Sequence, residues 1–139
     1  TKNIKKDSFD LVITPRRAPV KAIKEEKISD DFLKSNWMIN SEDAGVIALA
    51  KKAVGDEKDP FKKAQLIEKF VRQFMKDAGF SEAMATADQV AKTGRGDCTE
   101  FAVLSAAMCR AVGVPSRTAL GLVYVEPPSG KPFLGHHMW

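Results

Sequence analysis

Residues 98–112 read Cys98-Thr99-Glu100-Phe101-Ala102-Val103-Leu104-Ser105-Ala106-Ala107-Met108-Cys109-Arg110-Ala111-Val112 and are apolar on most faces. Such a stretch predicts a central helix surrounded by the rest of its domain. Both ends are marked: Asp97 is placed as N-cap with Glu100 at capping-box spacing, and Gly113 with Pro115 just beyond provides the stop. Cys98 therefore falls in the first turn, where unpaired N–H groups and the helix dipole favour an anion, and a thiolate is an anion. Cysteines so placed can have pKa values lowered from about 8.5 into roughly the 3.5–7.5 range. The preceding turn, Thr93-Gly94-Arg95-Gly96, adds two glycines that would leave room for a substrate and one positive charge. Free cysteine is also a common core residue, so this stretch by itself leaves nucleophile and core filler both open. A polar, Gly-rich turn at the surface favours the nucleophile. Cys109 sits mid-helix in an apolar run and reads as inert core.

Upstream, three further helices are expected. The first spans about Glu42 to Val54, capped by Ser41 or Asn40 and stopped by Gly55, with Val46, Ile47, Ala50, Ala53 and Val54 on one face. The second starts at Asp59-Pro60 and runs toward Gly79, with Phe61, Ala64, Ile67, Phe70, Val71, Phe74, Met75 and Ala78 as its apolar stripe. Phe and Met at that spacing are core and suggest no cofactor site. A shorter helix over Ala87 to Lys92 follows Thr86, which stands at capping-box spacing from Gln89. Before all of these, Ser8 to Thr14 reads as a short strand closed by Pro15, and Arg16 to about Lys34 as a charged connecting arm.

Downstream, Ser116 to Val125 is a predicted strand, the loop Glu126 to Pro132 reverses the chain, and Phe133 to Trp139 begins a neighbouring strand. Alternation puts His137 and Trp139 on one face and His136 and Met138 on the other. A helix N-terminus facing a strand that carries a histidine is a way to build a thiolate–imidazolium pair.

The 139 residues suffice for one domain with its own core. With 44% hydrophobic and 29% charged residues the composition is globular. The net charge is +4, of which residues 1–37 carry +3 from nine cations and six anions. That arm interleaves both signs and has few aromatics, which argues for solvated surface and against nucleic-acid binding. No apolar run approaches the ~20 residues that span a bilayer, and the start contains no signal-peptide pattern. The first residue is Thr1, so the chain is expected to be a segment of something longer. Cys98 and Cys109, on one helix, would stand about 16 Å apart along its axis, beyond disulfide reach, and both are expected as free thiols. Two Cys and two His match no zinc spacing, no acidic loop suggests calcium, and no metal or cofactor is expected.

Taken together, Gly96-Asp97-Cys98-Thr99-Glu100-Phe101-Ala102, then Cys109-Arg110-Ala111-Val112-Gly113-Val114-Pro115-Ser116-Arg117, then His137-Met138-Trp139 resemble the bacterial transglutaminase-like superfamily. That family has a Gly-Asp-Cys helix start, an Arg-Ala-x-Gly-(Ile/Val)-Pro-x-Arg end and a later His-x-Trp strand. The resemblance covers residues 29–139, with 1–28 as an N-terminal arm or the end of a preceding β-rich domain. It implies an α+β, papain-like fold: N-terminal helices and a central Cys-bearing helix packed on an antiparallel sheet.

It also implies a Cys-His-Asp triad, with Cys98 as nucleophile, the Cys98 backbone N–H as oxyanion donor, and His137 as general base. Arg117 matches a motif arginine read as structural, and His136 has no family role. A side-chain oxyanion donor could be Gln89 by residue type alone. The family's Asp follows His-x-Trp on the next strand, beyond Trp139, so the core is expected to be C-terminally incomplete. Its open sheet edge would then favour self-association. The implied activity is thiol-dependent acyl transfer on protein or peptide amides: hydrolysis first, with transamidation or a non-catalytic peptide-binding module as alternatives. Bacterial relatives of this kind can be secreted, periplasmic or cytoplasmic.

Overall fold

Short polar side chains decide where the helices of this chain begin. The computed structural model describes residues 28–76 and 84–139, together with the backbone of two short antiparallel strands, β1 (Ile4–Lys5) and β2 (Ser8–Phe9). Of the strand expected over residues 8–14, only Ser8–Phe9 lies within the described residues, and most of the charged arm lies outside them. The arm's far end forms a 3₁₀ turn over Asp30–Phe32.

Helix α1 (Ala44–Val54) starts at Asp43, whose Oδ1 accepts the N–H groups of Gly45 and Val46 at 2.8 and 3.1 Å. The cap expected at Asn40 or Ser41 is corrected to Asp43, because one carboxylate there satisfies two orphan donors at once. Val46, Ala50 and Val54 are buried, while Ile47 and Ala53 are only partly so. Helix α2 (Pro60–Phe74) begins as expected, with Asp59 accepting the Lys62 N–H at 2.8 Å. It ends earlier than the distance to Gly79 suggested. Met75 turns to extended backbone and is buried, and the Lys76 N–H donates to the Gly94 carbonyl at 2.9 Å, which draws the chain off the helix axis. Ala78 and Gly79 lie outside the described residues. Phe61, placed on the apolar stripe by spacing, is 64% exposed in the first turn of α2, whereas Phe70 and Phe74 stack at 5.9 Å.

Helix α3 (Ala87–Thr93) is held at its start by Gln89 Oε1, which accepts the Thr86 N–H at 3.0 Å. Helix α4 (Cys98–Ala111) packs against each of the other three helices. Its Val103, Leu104, Ala107 and Met108 meet Val46 and Ala50 of α1, Ile67 and Val71 of α2, and Ala87 and Val90 of α3 in one buried cluster. Each large side chain there contributes about 1.5–3 kcal/mol by leaving water.

The far end of α4 is fastened by Arg110. Its Nε and Nη2 donate to the Ser116 carbonyl at 2.9 and 2.7 Å, and its Nη1 donates to the Lys34 carbonyl at 2.6 Å. Ser116 Oγ donates in turn to the Ala106 carbonyl at 2.8 Å. Ser116 is spent on these bonds, and strand β3 starts later than expected, at Leu120–Val125. It pairs antiparallel with β4 (Phe133–Met138) in the register Leu120↔Met138, Gly121↔His137, Leu122↔His136. Ala119 and Trp139 close the ladder by exchanging both backbone bonds at 2.9 Å. β4 packs on α4, and the outer face of the ribbon carries exposed Leu120, Leu122 and Tyr124. The result is the expected α+β arrangement: helices first, and a central Cys-bearing helix against an antiparallel sheet.

Candidate active site

The turn into α4 is built by Glu100. This side chain is completely buried; Oε1 accepts the Ala85 N–H at 2.9 Å and Oε2 accepts the Asp97 N–H at 3.0 Å. Asp97 Oδ1 accepts the Thr99 N–H at 2.8 Å, so acid and cap fix each other across the first turn. Gly96 has φ +135°, and a Cβ there would stand 2.3 Å from the Cβ and Cγ of Glu100. Only glycine meets both demands. The expectation that Gly94 and Gly96 make space for a substrate is therefore corrected. Both are buried; Gly94 turns α3 off at φ +62°, and Gly96 yields its space to Glu100. Arg95 between them is exposed and does not line the cleft described below.

Cys98 is the first residue of α4, half-buried, with a free thiol. Its N–H is among those of the first turn that have no intrahelical acceptor. Cys109 is buried on the same helix, and burial pushes its thiol up to about 11. The two cysteines on one helix thus have opposite surroundings.

His137 is on β4, directly opposite Gly121 of β3. The indole of Trp139, two residues on and on the same face, meets the imidazole edge to face with ring centroids 4.8 Å apart and planes at 69°. α4, α2 and β4 enclose a cleft of about 790 Å³. Cys98, Phe101, Ala102 and Ser105 of α4 form its floor, Glu68, Val71 and Arg72 of α2 one wall, and His136, His137, Met138 and Trp139 the other. Cys98 and the strand that carries both histidines thus border one space. Glu68 and Arg72 pair at 3.6 Å, but both are exposed and the pair adds little. Arg117 also lines the cleft and lies over the ring of Phe32 at 5.9 Å. Gln89 does not line it, and this position away from the cleft removes it as an oxyanion donor; its Oε1 caps the start of α3. Asp97 lines it with its carboxylate already held by Thr99. Among the described residues, no group of three or more His, Cys, Asp or Glu side chains could hold a metal ion.

A thiol at a helix N-terminus that shares a cleft with an imidazole supplies the parts needed for nucleophilic attack on a carbonyl. A family model described as the transglutaminase-like superfamily matches residues 47–139. The chain belongs to the transglutaminase-like superfamily. Its fold is shared with a solved structure from Cytophaga hutchinsonii, described as a "putative cysteine protease", at a TM-score of 0.65 and 22% identity. The alignment covers 81% of this chain and 38% of that one, so this transglutaminase-like chain spans well under half the length of that protein. No curated protein matches. Within the superfamily's core, three features do not follow from motif spacing: Glu100 reaching Ala85, Gly121 opposite His137, and the buried Arg110. A glycine inside a strand was a signal for the second, since such glycines mark close approach of another group.

Proposed function

We propose that the protein is a thiol-dependent acyl transferase that opens amide bonds of proteins or peptides by hydrolysis, within a core spanning residues 29–139. The observation that carries this reading is that Cys98, in the first turn of α4, and His137, on β4, line the same cleft. In this reading the Cys98 sulfur, its proton held by His137, attacks the amide carbonyl carbon. The Cys98 backbone N–H stabilises the oxygen that becomes negative, and the C–N bond breaks as His137 returns its proton to the leaving amine. A thioester remains. Water, deprotonated by His137, attacks it; the acid product departs and thiol and imidazole are restored. Admission of an amine in place of that water would give transamidation by the same steps.

The test is iodoacetamide labelling at pH 6, with peptide mass spectrometry reading Cys98 and Cys109 separately. Fast labelling of Cys98, at least tenfold slower in His137→Ala, is expected, with Cys109 untouched. Equally slow labelling of Cys98 in both proteins would overturn the reading in favour of a non-catalytic module.

A further inference from the structure

We propose that Trp139 and Gly121 form a seat for the His137 imidazole, which makes Trp139 a positioning residue. The inference rests on the acyl-transfer reading above for its consequence, although not for its geometry. Trp139 is 54% exposed and so is not held there by burial in the core. Its backbone is nevertheless fixed, because its N–H and carbonyl both bond to Ala119 at 2.9 Å. From that anchor the indole lies against His137 at 4.8 Å, inside the range where aromatic pairs attract edge to face.

The other half of the seat is an absent side chain. A Cβ at Gly121 would stand 3.0 Å from Cζ3 and 3.6 Å from Cη2 of Trp139. Gly121 is not among the glycines with positive φ, so no turn requires glycine there. It is the second residue of β3, opposite His137 in the ladder. What the missing side chain provides is room for the indole to lie across both strands beside the imidazole. Such an aromatic pair biases the imidazole toward one orientation by about two- to tenfold. With orientation set this way, the ring nitrogens are held for proton transfer instead of searching rotamers.

The experiment is a double-mutant cycle with an independent structural readout. Cys98 alkylation at pH 6 is measured in wild type, Trp139→Leu, Trp139→Phe and Gly121→Ala, each also in the His137→Ala background. In parallel, the His137 ring protons are followed by NMR, assigned with His136→Gln. The expected result is about a tenfold slower alkylation in Trp139→Leu, most of it recovered in Trp139→Phe, and no further slowing once His137 is gone. The ring-current shift of the His137 protons should vanish in Trp139→Leu and shrink in Gly121→Ala. An equal slowing by Trp139→Leu with and without His137 would overturn the proposal, because the indole would then act on the fold at large. Unchanged His137 shifts in Gly121→Ala would overturn it as well. Should Gly121→Ala not fold, Trp139→Leu, at a half-exposed position, decides alone. If His137→Ala leaves Cys98 reactivity unaltered, the acyl-transfer reading fails, while the ring-proton shifts still decide the seat.

Discussion

Glu100 is a buried acid that does its work through backbone N–H groups, and this makes its replacement predictable. Glutamine has the same shape but one oxygen fewer, so its amide nitrogen must face either the Ala85 or the Asp97 donor. Glu100→Gln is expected to cost about 1–3 kcal/mol in urea denaturation. Gly96→Ala adds a strained φ to a clash with Glu100, and a loss of about 2–4 kcal/mol should follow in the same assay. Cys109 gives a pH dependence. Burial raises its thiol from 9.0 to about 11, so the unfolded chain loses this proton first. The stability tied to the neutral thiol is complete below about pH 9 and lost as pH rises toward 11, on the order of 2–3 kcal/mol. Denaturation midpoints across that window should fall less steeply in Cys109→Ala than in wild type.

At the scale of elements, the helices show what could be read in advance. Asp59-Pro60 and Asp97 with Glu100 were legible as starts because capping is local: the donors and acceptor lie within one turn. Asp59→Ala should accordingly cost about 1 kcal/mol, measurable as a lowered thermal midpoint. The end of α2 was not legible, since it depends on Lys76 meeting Gly94, a partner distant in sequence. The start of β3 was hidden for the same reason, with the Ser116 N–H claimed by the Phe32 carbonyl at 3.0 Å. Spacing also put Phe61 on the apolar stripe, although the first turn of α2 leaves it in solvent. As for the site, the residue types of Cys98 and His137 and their order were readable. That Gly121 serves an indole rather than a turn was not, because strand pairing across a loop decides it.

The molecule as a whole is a helical cluster with a ribbon laid on one of its members. α1, α2 and α3 all converge on α4, while the ribbon packs on α4 through β4 and leaves its outer face in water. Cys98 belongs to the first part and His137 to the second. The two parts need not come apart together. A sub-global opening that lifts the ribbon would separate thiol from imidazole with the helices intact, and such openings cost less free energy than complete unfolding. Amide hydrogen exchange should therefore be faster at Gly135–Met138 than at Val103–Met108. In the acyl-transfer reading proposed above, heating should slow Cys98 alkylation at pH 6 several degrees before the helical circular-dichroism signal falls. That loss would then be reversible over the interval, with the loosening of one hairpin, and not of the helices, setting the temperature at which the proposed chemistry stops.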